Sequence, residues 1–227
     1  SGQAHERERL AGLFCPEMGE TQARHSLRQA LHNRRLALGE AGQTGSLPAQ
    51  PGSASSFLLV TPHTVQFNPH SDAWLDVREF DLRISAVRQH AHRRLETCTH
   101  CTRLLQEAVL LYQGDFLEED LYEDWIVPLR QELRNNCMTV LEHLSHYYYT
   151  EHQFGICIQY CQKLLARDNC QEDAHRRLIC CYMRLGQRNL ALRQYHVCKE
   201  ALQRELGVHP MQETLDLYKR ICSGGSI

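Results

Sequence analysis

The feature that most constrains this chain is an internal repeat in its C-terminal half. Shifting the sequence by 34 residues pairs Leu144 with Leu178, Tyr148 with Tyr182, and Cys157 with Ala191. The same shift pairs Cys161 with Tyr195 and Leu164 with Cys198, and sets Gly186 opposite His152. The paired positions are apolar or small in both copies, and within each copy they recur at helical spacing. A unit of two helices and a tight turn leaves one apolar face open and buries it by stacking on its neighbour. The pattern therefore predicts stacked helical hairpins. An ordinary helical bundle with coincident register is the alternative.

A 34-residue period is that of tetratricopeptide repeats. Helical spacing extends upstream through Val77, Phe80, Ile84 and Val87, then Leu104, Leu105, Ala108 and Leu111. After a turn at Gly114-Asp115, a helix opening near Asp124 carries Trp125, Leu129 and Leu133, which places Pro128 near its start. The front of the chain reads differently. One helix covers Glu6 to Phe14 with Leu10, Leu13 and Phe14 on one face, ended by Pro16 and Gly19. A second runs from Thr21, as N-cap, to Leu38, with Gly39 as C-cap residue. Residues 40–56, rich in Gly, Ser, Ala, Gln and Pro, form a loop. A β-hairpin follows, Phe57–Val60 and Val65–Phe67 about the turn Thr61-Pro62-His63-Thr64. The expected fold is mainly α, with a first domain over 1–70 and an all-α repeat domain over 71–227.

The chain has 227 residues and a formal net charge of -2, so any nucleic-acid contact must come from a local basic patch. No apolar run approaches a membrane span and no secretory signal pattern opens the chain. Eleven cysteines, an odd number, are present. Most of them, among them Cys137, Cys157, Cys161, Cys180, Cys181 and Cys198, lie on or beside apolar helix stripes. They read as buried free thiols in a reducing cytoplasm. The basic patch lies between Thr21 and Gly39, which holds four arginines and no acidic residue. Arg24, Arg28 and Arg35, with Gln29, His32 and Asn33, lie opposite or beside the Leu27/Leu31 face. A solvated outer face of an ordinary helix is the competing account. Arg34 falls in the apolar stripe of Leu27, Ala30 and Leu31, where a leucine is expected. A buried unpaired arginine is costly, so this helix end is expected to fray, shift or meet a partner.

Between the helical stretches, Gln89-His90-Ala91-His92 is followed by Cys98-Thr99-His100-Cys101. His90, His92, Cys98 and Cys101 are four candidate ligands for a structural zinc ion, since Cys-x-x-Cys can present two thiolates and two imidazoles can complete a tetrahedron. A redox pair and plain packing of the cysteines at a helix start remain open. No cofactor is otherwise indicated. The chain has no phosphate-binding Gly loop, no Gly-x-Ser-x-Gly elbow and no His-Glu-x-x-His pair, so no enzyme is expected. The acidic run Glu118, Glu119, Asp120, Glu123 and Asp124 reads as a solvated face. Tyr147, Tyr149, His152, His175 and Arg176 fall outside or at the edge of the repeat's core positions and are the candidate partner-binding residues.

Taken in order, several motifs resemble the antibiotic-regulatory type of bacterial transcriptional activator, over nearly the whole chain. They are Leu13-Phe14-Cys15-Pro16-Glu17 with Ala23–His32, Leu58–Val60 with Val65–Pro69, and Trp74–Phe80. Further along stand Leu111–Leu117, Asp124-Trp125, Ala174–Leu178, Ala191–Tyr195 and Glu205–Pro210. The resemblance implies a response-regulator-like winged helix joined to a bacterial transcriptional activation domain. The second helix would then be the recognition helix in the major groove, arginine pairing with guanine and Gln or Asn with adenine. The hairpin would be the wing. The repeat domain would assist dimerisation and contact the transcription machinery. Such a winged helix carries strands and a helix ahead of the point where this chain begins, so only its rear part is expected here, with weak DNA binding.

Overall fold

A computed structural model describes residues 3–38, 57–91, 95, 98–119 and 124–224. It is mainly helical with a small antiparallel sheet, and it divides into two compact units, Ser1–Trp74 and Leu75–Ile227. The expected loop over 40–56 lies outside the described residues.

In the first unit, strand β1 (His5–Glu6) leads into helix α1 (Arg7–Phe14), then α2 (Glu20–Ala37), β2 (Leu58–Val60) and β3 (Thr64–Phe67). The sheet order is β1-β3-β2, with Val65 paired to His5 on one side and Val60 on the other. The hairpin is where the sequence places it, except that Thr64 belongs to the strand rather than the turn and Phe57 precedes β2. The turn closes through Thr61 N–H donating to Thr64 O at 2.9 Å. β1 is an addition: two residues are too short to show a strand period.

Helices α1 and α2 meet through small side chains, Ala11 and Ala23, with Leu27 buried beside them and Leu10, Cys15 and Leu31 partly buried. Leu13 and Phe14, expected on the packed face of α1, are exposed, because the close Ala–Ala approach turns their side of the helix outward. The cap of α2 is Gly19, so Thr21 lies inside the helix. Arg34 is exposed, as is Ala30, and the helix continues intact to Ala37. The reason is length: α1 has 8 residues and α2 has 18. At about 1.5 Å per residue, α2 outruns its partner by roughly three turns. Position 34 is on the apolar meridian but beyond the core, so it carries no burial penalty.

The second unit comprises α3 (Asp76–Gln89), α4 (Thr99–Leu111), α5 (Val127–Thr150), α6 (Phe154–Leu165), α7 (Glu172–Arg184), α8 (Arg188–Leu206) and α9 (Gln212–Cys222). Phe80, Ile84 and Val87 of α3 join Leu105 and Ala108 of α4, Leu141 and Leu144 of α5, and Leu178 of α7 in one core. The long helix α5 opens at Val127, not Asp124, and Trp125 precedes it. Pro128 is accommodated in the first turn, where backbone N–H groups have no intrahelical acceptor.

The 34-residue register is realised bond for bond. Gln153 N–H donates to Tyr148 O at 2.9 Å, and Gln187 N–H donates to Tyr182 O at 2.8 Å. His152 and Gly186, the paired turn residues, both adopt left-handed backbone, with φ of 56° and 73°. α6 and α8 then begin 34 residues apart, at Phe154 and Arg188. Cys157, Cys161 and Leu164 in one copy and Ala191, Tyr195 and Cys198 in the other are all buried. Tyr148 is buried and Tyr182 partly so.

Candidate functional site

The basic helix comes first. On α2, Arg24, Arg28, Gln29, His32 and Asn33 are exposed and Arg35 is half-buried. At about 100° per residue, Arg28, His32, Gln29 and Asn33 share the face turned away from Ala23 and Leu27. Gln29 Nε2 donates to Asn33 Oδ1 at 3.1 Å, a pairing of two exposed amides along the helix. Arg24 differs from the rest. Its guanidinium meets Glu8 of α1 at 2.7 Å and Glu20 at 2.5 Å. The sequence window that began at Thr21 hid this, since one acid lies one residue earlier and the other in the preceding helix.

Between α2 and the wing turn lies a cleft lined by Arg7, Arg24, Arg28 and His63, together with Glu6 and Glu8. Arg7 holds the turn in place. Its backbone N–H donates to His63 O at 2.8 Å, and its guanidinium donates to Thr61 O at 3.3 Å. Sequence reasoning passed over Arg7, because nothing local marks a residue whose nearer partner in sequence, Thr61, lies 54 positions away. The exposed side chains of α2 can donate to phosphate oxygens or reach base edges. Those in the cleft are partly neutralised by carboxylates.

The imidazole–thiol cluster is the second site. His90 caps the C-terminal end of α3, Cys98 caps the N-terminal end of α4, and Cys101 lies in the first turns of α4 with 0% exposure. His90 Nδ1 lies 3.3 Å from Cys101 Sγ and 3.7 Å from Cys98 Sγ. The candidate ligand atoms of all three lie within 4.8 Å of one another. Backbone N–H from Cys101 lowers the pKa of the Cys98 thiol, whereas burial pushes the Cys101 thiol up to about 11. The His100 ring lies 4.8 Å from that of His90, centroid to centroid. His92 lies outside the described residues.

The five candidate partner residues do not form one surface. His175 is 1% exposed, which removes it from any docking face. Its Nε2 lies 3.0 Å from Asn169 O and its Nδ1 2.6 Å from Gln194 Nε2. Arg176 is turned to α9, donating to Thr214 Oγ1 at 2.9 Å while bonding Asp173 on its own helix. Tyr147 and Tyr149 are half-buried, packed edge-on against Tyr148 at 5.2 Å and Phe154 at 5.8 Å. His152 alone of the five is fully at the surface, in the α5–α6 turn. The repeat shift separated core from non-core by copy, but it could not register α9, against which the outer side of α7 packs.

All eleven cysteines are free. Burial raises the thiol pKa of Cys198 to about 12, so it is protonated at neutral pH and packs as a small apolar side chain.

Residues 75–222 match the family model described as the bacterial transcriptional activator domain. The chain is also similar to a solved structure of Mycobacterium tuberculosis EmbR in complex with a low-affinity phosphopeptide. The TM-score is 0.64 at 19% sequence identity, over 99% of this chain and 56% of that one. The chain thus spans little more than half the length of that relative, and at this identity the likeness speaks for fold alone. No curated protein matches the chain.

Proposed function

The chain belongs to the bacterial transcriptional activator domain family, and on that premise we propose that it is a transcription activator that binds DNA through α2 and its wing. The supporting observation is the exposed side of α2, where Arg28, Gln29, His32 and Asn33 stand on one face of an 18-residue helix. Such a helix fits a major groove, and these side chains are the donors and acceptors that read guanine and adenine there. Arg7, Arg24 and His63 beside the wing turn are suited to the backbone.

In this reading the helical unit contacts the transcription machinery or a second copy of the chain, through stacked hairpins of the tetratricopeptide type. It is a cytoplasmic protein with no catalytic role. Among the described residues no helix is long and apolar enough to cross a membrane. A second reading, an interaction module of helical repeats that does not bind DNA, is favoured by one observation: Arg24 is already engaged by Glu8 and Glu20.

The two readings part on salt and sequence. Fluorescence anisotropy on a duplex from upstream of its own gene, for this chain and the full-length protein, should show affinity falling steeply with salt. Arg28→Ala should weaken binding by about 1–3 kcal/mol if Arg28 pairs with guanine, with discrimination relaxed at one base position. If it meets phosphate, the salt slope should fall by about 1 instead. Binding unaffected by Arg28→Ala, Gln29→Ala and Asn33→Ala together would remove α2 as the reading element.

A further inference from the structure

We propose that His90, Cys98 and Cys101 bind a zinc ion that clamps the end of α3 to the start of α4. The proposal rests on the second unit alone and is independent of DNA binding.

Three observations converge. The first is donor chemistry: one imidazole and two thiols, the ligand types of structural zinc sites. The second is placement. The ligands come from two helix ends joined by an eight-residue step from His90 to Cys98, so each is held by a rigid element. The third is distance. With zinc–sulfur bonds of about 2.3 Å and zinc–nitrogen bonds of about 2.0 Å, a tetrahedral ion sets sulfur and nitrogen about 3.5 Å apart. The separations here, 3.3 Å and 3.7 Å, bracket that value. The two sulfurs lie within 4.8 Å of each other, against about 3.8 Å on a tetrahedral ion, so a metal could enter once the thiols close by up to about 1 Å.

Binding would release both thiol protons to solvent, and the two thiolate charges would neutralise the dication, with the imidazole neutral. No electron transfer is involved. Leu95 of the connector packs against the core at its edge, so the clamp would act beside the α3–α4 contact rather than replace it. These three residues fill three of the ion's four tetrahedral positions and join two helix ends, which is the structural role assigned to it here.

The test is metal content and metal affinity of the full chain. Protein purified from zinc-supplemented medium should carry one equivalent of zinc by mass spectrometry. Cobalt substitution should give the near-ultraviolet band of thiolate-to-cobalt charge transfer. Cys98→Ser, at a half-buried position, and His90→Ala should each weaken zinc binding by at least about tenfold. Cys222→Ser, at the exposed end of α9, should leave it unchanged. Circular dichroism of each variant separates loss of ligand from loss of fold. No zinc in the purified protein and none on titration would overturn the proposal. So would zinc binding that both ligand variants retain in full, or a Cys98–Cys101 disulfide in the protein as purified.

Discussion

His175 sits inside the second unit with both ring nitrogens engaged, and this fixes its protonation. The Asn169 carbonyl accepts from Nε2–H, which leaves Nδ1 to accept from the Gln194 amide. Burial outweighs the opposing pull of Asn169 and Glu172 and lowers its pKa from 6.5. The unfolded chain therefore binds this proton at a higher pH than the folded one. Its contribution to stability is complete above about pH 6.5 and is lost as pH falls from there toward the depressed folded value. Urea unfolding between pH 7.5 and pH 5.5 should show a decline that His175→Gln reduces. Equal declines in both proteins would contradict this. The sequence offered His175 as a partner residue because its repeat position is not a core one. Its burial comes from α7, α8 and the preceding turn closing around it, and no spacing rule encodes that.

At the scale of elements, the paired turns make a controlled comparison. His152 and Gly186 hold the same left-handed conformation at the same place in successive hairpins. A Cβ added to Gly186 meets nothing within 4 Å, so only the backbone opposes a side chain there. Gly186→Ala should cost about 1 kcal/mol, and His152→Gly should stabilise by about 0.5 kcal/mol, both read from denaturant midpoints. A Gly186→Ala protein as stable as the parent would refute the shared geometry. The helices from α3 to α8 were legible because each is long and buries one stripe, so the period is written many times over. Helix starts were less so: α2 begins at Glu20 and α5 at Val127 because capping here uses backbone rather than the polar side chain that marks a cap in sequence. β1 and the anchoring of α9 were hidden for another reason. Glu172 accepts from Met211 N–H at 2.9 Å and from Thr214 Oγ1 at 2.7 Å across about forty residues, and polar pairs at that separation leave no local pattern.

For the whole molecule, a nearly neutral chain carries four arginines on α2 with no acidic residue beyond Glu20, while the second unit carries the apolar stacking. The order of motifs pointed to this division, and the family model matches residues 75–222. What the motifs could not show is that Arg24 is held by two carboxylates, or that the wing turn is tied down by Arg7. Both depend on chain segments brought together only by folding. If Arg24 must exchange Glu8 and Glu20 for phosphate, sequence reading falls mainly to Arg28, Gln29 and Asn33. The most direct test is selection of binding sites from a random duplex pool by the full-length protein, run in parallel with an Arg28→Ala, Gln29→Ala, Asn33→Ala variant. One enriched motif is expected for the parent protein, and its loss in the variant. No enrichment by the parent, or the same motif retained by the variant, would contradict DNA reading through α2.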